Sequence, residues 1–100
     1  MQPIRIDTAD DFRRKAQVMK ALGHPSRLML VDELSRGERC VCDLTQVIGH
    51  DMSTVSKHLR VLRKAGIVVD DKRGLQVFYR LKVPCVLNFF KCVDAVLDAK

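Results

Sequence analysis

The sequence predicts a mainly α-helical protein with one β-hairpin, in the order helix, helix, helix, helix, hairpin, helix. Apolar residues recur every three or four positions in several stretches, which is typical of amphipathic helices. A glycine follows each of the first four stretches, where it can terminate a helix. After the last of these glycines the pattern changes to a short β-branched run, a polar turn and a second short apolar run, which indicates two strands.

The first two helices meet at a glycine and a proline. The first helix ends at Gly23, and its apolar stripe consists of Phe12, Ala16, Met19 and Leu22. Pro25 and Ser26 open the second helix, because proline fits the first helical position. Its apolar positions are Leu28, Met29, Val31 and Leu34, with Gly37 beyond its end.

Two further helices are predicted on either side of Gly49. The third covers about Val41 to Ile48, and Asp51 is placed to cap the fourth by accepting backbone N–H groups. The buried face of the fourth helix is predicted to consist of Val55, Leu59 and Leu62, before Gly66 ends it.

The hairpin and a last helix complete the chain. The strands are predicted at 67–69 and 77–81, with the segment DDKRG as the turn between them. Pro84 is predicted to start the last helix, whose apolar residues are Val86, Phe89, Phe90, Val93, Val96 and Leu97.

Length and composition restrict the function. We expect one domain spanning residues 1–100, with a core thin enough that oligomerisation would help. No apolar run approaches the ~20 residues of a membrane span, and the first residues lack a signal-peptide apolar stretch. We therefore expect a cytoplasmic protein with no membrane partner, in which the four cysteines stay reduced and are available for metal binding or redox sensing.

The net charge of +6 is concentrated in the fourth helix, which has no acidic residue between Ser53 and Lys64. Two short helices joined by a tight turn, the second of them basic and rich in hydroxyl groups, form a helix-turn-helix. The hairpin that follows has the position of a wing, so the predicted fold is a winged helix-turn-helix. Hydroxyl side chains reach base edges or phosphates, and the longer Lys57 and Arg60 reach further. Double-stranded DNA is therefore the expected partner.

Four motifs, ALGHPSRLMLVDEL, CVCDLTQVIG, STVSKHLRVLRKAGIV and DKRGLQVFYRL, resemble the ArsR/SmtB family of winged-helix transcriptional repressors, in the same order and over nearly the whole chain. The resemblance implies a homodimer through the first and last helices, bound to a palindromic operator and released by an inducer. It assigns DNA binding to a recognition segment and a wing tip, which comprise Ser53, Thr54, Ser56, Lys57, His58, Arg73 and Gly74. For His58, packing against the wing or capping a carbonyl is an equal alternative.

The segment Cys40-Val41-Cys42-Asp43-Leu44 resembles the CVCDL box of family members that sense arsenite, antimonite, cadmium or lead. Soft ions favour thiolate sulfur, and a helix start favours the thiolate form. The inducer is therefore predicted to be As(III) or Sb(III), with Cd(II) or Pb(II) as further candidates. Residues two apart in a helix differ by about 200°, so Cys40 and Cys42 are predicted to face apart until the first turn opens.

The sequence departs from the family pattern at Thr45, where arsenite sensors often have a third cysteine. Cys85 and Cys92, seven residues apart on the last helix, are candidates for additional ligands, but buried core positions are an alternative for both. The last helix contains no histidine, which argues against a zinc site there.

Two rival functions remain open from the sequence. The same repressor could respond to a disulfide or persulfide bridge through Cys85 or Cys92, or a winged-helix module could bind protein or RNA without an operator. An enzyme is not expected, because the sequence has no Gly-rich phosphate loop, nucleophile elbow or Cys-x-x-Cys spacing.

Overall fold

A computed structural model describes residues 7–99 of the protein. Five α-helices and three short strands follow one another in nearly the predicted order, and the chain is a winged helix-turn-helix. The elements are α1 (Ala9–Leu22), α2 (Pro25–Leu34), β1 (Arg39–Cys40), α3 (Val41–Ile48), α4 (Met52–Lys64), β2 (Val68–Arg73), β3 (Gln76–Leu81), a 3₁₀ turn (Pro84–Val86) and α5 (Leu87–Asp98).

The helix ends follow local chemistry. Thr8 and Asp11 form a capping box at the start of α1, in which each side chain accepts the backbone N–H of the other residue. The turn between α3 and α4 contains Gly49 with φ of 79°, a left-handed conformation that glycine adopts without a Cβ penalty. Asp51 occupies the N-cap position of α4, but its carboxylate makes no cap hydrogen bond to the backbone, so that part of the prediction is wrong.

The sheet has three strands in the order β1-β3-β2, all antiparallel. The hairpin turn is not at DDKRG as predicted, because β2 continues through Arg73, which pairs with Gln76. A two-residue loop of Gly74 and Leu75 closes the hairpin, and φ of 63° at Gly74 meets the need of such loops for a positive φ. The β1 strand, which the sequence did not predict, pairs Cys40 with Phe78.

The core lies between α2, α3, α4 and the sheet. Its completely buried side chains are Leu30, Val31, Leu44, Val55, Leu59 and Leu62. The predicted buried face of α4 is confirmed, whereas Leu30 was missing from the predicted apolar positions of α2. Within residues 7–99, no helix is long and apolar enough to cross a membrane.

The terminal helices contribute little to this core. The last α-helix begins at Leu87, after the 3₁₀ turn, and none of its residues is buried. The predicted apolar stripes of α1 and α5 are instead largely open to solvent in the single chain, through Phe12, Met19, Phe89, Val93, Val96 and Leu97.

Candidate functional site

The fourth helix presents its polar face outward. While Val55, Leu59 and Leu62 anchor it in the core, the residues predicted to contact DNA lie on the other sides. Ser53, Lys57 and Arg60 are exposed, and Thr54 and Ser56 are half-buried. The exposed side of α4 thus has hydroxyl groups in its first turn, followed by the long cationic side chains of Lys57 and Arg60.

The start of α4 is organised around Asp51. The hydroxyls of Ser53 and Thr54 both donate to its carboxylate, and these bonds lower the pKa of Asp51. The charged carboxylate lies at the positive end of the helix dipole, which stabilises it further. Both hydroxyls therefore keep a fixed orientation until another acceptor takes over the bond.

His58 faces α2 rather than the wing. Its ring centroid lies 4.4 Å from that of His24, and Arg27 Nη1 donates to His58 Nδ1 at 3.2 Å. The alternatives of packing against the wing or capping a carbonyl are thus wrong. Burial lowers the pKa of His58, and His24, Arg27 and His50 lower it further through their positive charge.

Arg73 is held by carboxylates at the base of the wing tip. It donates to both oxygens of Glu38 at 2.6 and 2.9 Å and to Asp71 at 2.9 Å, and these bonds raise its pKa. Its guanidinium also lies 4.7 Å from the centre of the Phe78 ring. In this conformation Arg73 fixes the wing to the residue before β1, while Gly74 lies exposed at the tip.

The first two cysteines border one cleft. Cys40 is the buried N-cap of α3, where its Sγ accepts the Asp43 N–H at 3.4 Å, while Cys42 is exposed in the first turn. Cys40 has an extended backbone rather than a helical one, so the 200° rotation of a regular helix does not describe this pair. Both cysteines line one cleft although Cys40 is buried and Cys42 exposed, and their facing apart stays a prediction. The cleft has a volume of about 210 Å³, and Met52 and Ser56 also line it.

The other two cysteines are outside this cleft. Cys92 lies on α5 and Cys85 in the preceding 3₁₀ turn, so the prediction that both lie on the last helix is wrong. Both are exposed, so their interpretation as core residues is wrong for the single chain. Between residues 7 and 99 no group of three or more His, Cys, Asp or Glu side chains is placed to hold a metal ion.

Four residues that contact the predicted site residues or line the cysteine cleft were not predicted from the sequence: His24, Arg27, Glu38 and Met52. His24 and Arg27 belong to the motif HPSR, whose polar residues beside a proline were a usable signal. Nothing in the sequence pairs Glu38 with Arg73, because they are 35 residues apart. The position of Met52, directly after the N-cap residue Asp51, was visible in the sequence, but its proximity to the cysteines was not.

A model of the "Bacterial regulatory protein, arsR family" matches residues 24–69. An uncharacterized HTH-type transcriptional regulator of Methanocaldococcus jannaschii is 36% identical over 86 residues, which are 85% of this chain and 97% of that protein. The arsenical resistance operon repressor of Escherichia coli is 42% identical over 71 residues, 70% of this chain and 61% of that protein. The homodimeric winged helix-turn-helix DNA-binding domain from Mycobacterium bovis superposes with a TM-score of 0.80 at 31% identity, over 98% of this chain and 91% of that one.

Proposed function

Because the chain belongs to the ArsR family of bacterial regulatory proteins, we propose that it is a cytoplasmic transcriptional repressor that binds a palindromic operator as a homodimer. As(III) or Sb(III) is the proposed inducer, bound by Cys40 and Cys42, with Cd(II) and Pb(II) as further candidates. The observation that carries the proposal is the shared cleft, which the two cysteines border together with the first turns of the helix that presents the DNA-binding residues.

Operator binding uses the polar face of α4 and the wing. Ser53, Thr54 and Ser56 supply short donors and acceptors for base edges, and Lys57 and Arg60 supply charge for phosphates or bases. His58 keeps a half-exposed edge beside them. At the wing, Gly74 allows close approach of the backbone, and Arg73 reaches a phosphate only after leaving Glu38.

The dimer is supported by the open apolar stripes of the terminal helices. Two clefts of about 230 and 260 Å³ run beside α5, and Leu28, Phe90 and Val93 line both of them. A second copy would cover these surfaces and bury apolar area that the thin core of one chain leaves in water. A two-fold dimer also presents two copies of α4 to half-sites about one helical turn of DNA apart.

The inducer would act through the first turn of α3. Arsenous acid exchanges two hydroxides for the two thiolates; each thiol proton leaves with a hydroxide as water, and one hydroxide stays on arsenic. A Cys40 Sγ that turns toward the ion leaves the Asp43 N–H without its acceptor, which weakens the cap of α3. Leu44 of α3 packs in the same core as Val55 and Leu59 of α4, so the disturbance reaches the DNA-binding helix.

Operator release by As(III) tests this proposal. The reduced protein bound to a fluorescent operator is titrated with arsenite, and Cys40→Ser and Cys42→Ser are each expected to abolish release. Serine keeps the N-cap acceptor at position 40, so the variant retains the fold. Cys85→Ser and Cys92→Ser are the matched controls, and a weakened response in either would add that thiol to the ligand set. Undiminished operator affinity of the wild type at saturating arsenite would refute the proposed inducer.

A thiol-redox or persulfide signal is the second candidate function, because Cys42, Cys85 and Cys92 are all exposed free thiols. It predicts a reversible bridge by mass spectrometry after oxidant or polysulfide, operator release by that treatment, and no affinity for As(III). A protein- or RNA-binding module would instead show salt-dependent binding with no preference among DNA sequences.

A further inference from the structure

A third sulfur-containing residue lines the cysteine cleft. Met52 is the first residue of α4, and it lines the cleft together with Cys40 and Cys42. Its side chain is 51% exposed, so the thioether is not committed to the core. Residues 7–99 contain two other methionines, Met19 on α1 and Met29 on α2, and neither lines this cleft. The residues that line the cleft therefore include two cysteines and one methionine, carried by the N-cap and first turn of α3 and by the first residue of α4.

This donor set differs chemically from three thiols. Thiolate and thioether sulfur together favour soft monovalent cations such as Cu(I). A thioether has no proton to release, so it cannot replace a hydroxide on As(III) in the way that a thiol does. A third donor of this kind therefore adds affinity for a soft cation and none for the metalloid.

We propose that Cys40, Cys42 and Met52 form a three-sulfur site for a soft monovalent cation, Cu(I) or Ag(I). On binding, the two thiols lose their protons to solvent, and the thioether donates a lone pair without any proton transfer. No oxidation or reduction occurs. The inference rests on the proposed function, because it uses the same cysteines, and it extends the inducers of that site to a second class of ion.

The position of Met52 connects this site to DNA binding. Met52 directly precedes Ser53 and Thr54, and Ser56 one turn later also lines the cleft. A cation held by all three sulfurs joins the start of α3 to the start of α4, whereas As(III) is held by α3 and its N-cap alone. Release of the operator by Cu(I) should therefore depend on Met52, and release by arsenite should not.

The test measures cation affinity independently of DNA. The full-length reduced protein, without oxygen, competes with a chromophoric chelator for Cu(I), and Ag(I) is measured in the same format. Met52→Leu is expected to weaken Cu(I) binding by at least about tenfold, since loss of even a supporting residue around a metal costs 10–100-fold. X-ray absorption should count three sulfurs around copper in the wild type and two in this variant. Met29→Leu, the matched control, should retain both the affinity and three sulfurs.

Two outcomes would overturn the inference: equal Cu(I) affinity of wild type and Met52→Leu, or two sulfurs around copper in both. Thermal unfolding of each variant shows whether a loss of copper affinity comes from misfolding. In that case the number of sulfurs around copper in the folded fraction decides whether Met52 is a ligand. The same experiments distinguish failure of this inference from failure of arsenite as the inducer. If arsenite releases no operator while Met52→Leu still loses copper affinity, the arsenite response is refuted and the three-sulfur site stands.

Discussion

Replacing Arg27 should weaken the contacts that support α4, the helix proposed to bind DNA. Arg27 lies in the first turn of α2, where its Nε donates to the carbonyl of Ala21 at 2.5 Å and its Nη2 to that of Lys20 at 3.4 Å. Both carbonyls belong to the last turn of α1, where backbone acceptors run short of helical partners; that of Lys20 also accepts the N–H of Gly23 at 3.1 Å. With Nη1 on His58, one guanidinium joins three helices.

Lysine at position 27 keeps the charge and the aliphatic stem but has a single nitrogen, so it can replace at most part of this set. Hydrogen bonds from charged donors contribute about 1.5–3 kcal/mol when well buried. Arg27 is only half-buried and one of its three contacts is long. We therefore expect Arg27→Lys to lower the free energy of unfolding by about 1–2 kcal/mol. For a domain of this size the corresponding loss in Tm is about 4–16 °C.

Urea denaturation at one fixed protein concentration measures this change, since a dimer has a concentration-dependent stability. The matched control is Arg13→Lys on α1, whose contact with Asp10 at 3.6 Å is largely exposed and should contribute nothing measurable. The double variant Arg27→Lys, His58→Ala should lose less stability than the sum of the two single losses, because each substitution removes the same Arg27–His58 hydrogen bond. Equal stability of the two lysine variants, or strict additivity with His58→Ala, would refute the reasoning.

Three further predictions concern α4. The pKa of His58 is lowered in the folded protein, so the unfolded chain binds more protons at slightly acidic pH. The free energy of unfolding should therefore fall as the pH drops below about 6.5. Denaturation measured at several pH values should show a weaker pH dependence for His58→Asn. Leu59→Ala should cost about 2–5 kcal/mol because the side chain is completely buried, whereas the 38% exposed Val61 should tolerate Val61→Ala with a clearly smaller loss in the same assay. Lys57→Ala should reduce the slope of log affinity against log salt for operator binding by about one; Lys91→Ala on α5 should leave the slope unchanged, and an unchanged slope in both would remove Lys57 from the phosphate contacts.

The helices and their order were predictable because their signals are local. The end of α3 needed only Gly49, and the buried face of α4 needed only the spacing of its apolar residues. The hairpin turn was misplaced for a physical reason: Asp70–Arg73 are exposed, so no alternation of apolar and polar residues marked them as strand. The β1 strand has two residues, too few for any period, and forms only through pairing with β3.

The site was predictable in its residue types but not in its contacts. The basic hydroxyl-rich helix and the paired cysteines could be identified by composition and spacing. The partners of His58 and Arg73 could not, because they lie 31 and 35 residues away in sequence and meet only in the folded chain. The cap role of Cys40 was not predicted either, because whether the residue before a helix has an extended or a helical backbone differs by a single position that the sequence pattern does not resolve.

The shared cleft also fixes a quantitative relation between the two proposed ligands. Ser56 lies both on the cleft and on the helix proposed to contact DNA, so the proposed inducer and the operator would act on the same first turns of α4. Coupling between two binding sites is reciprocal. If an inducer lowers operator affinity about a hundredfold, equivalent to about 2.7 kcal/mol of coupling, the operator must lower inducer affinity by the same factor. An inducer whose affinity is identical for free and operator-bound protein therefore cannot be the ion that relieves repression.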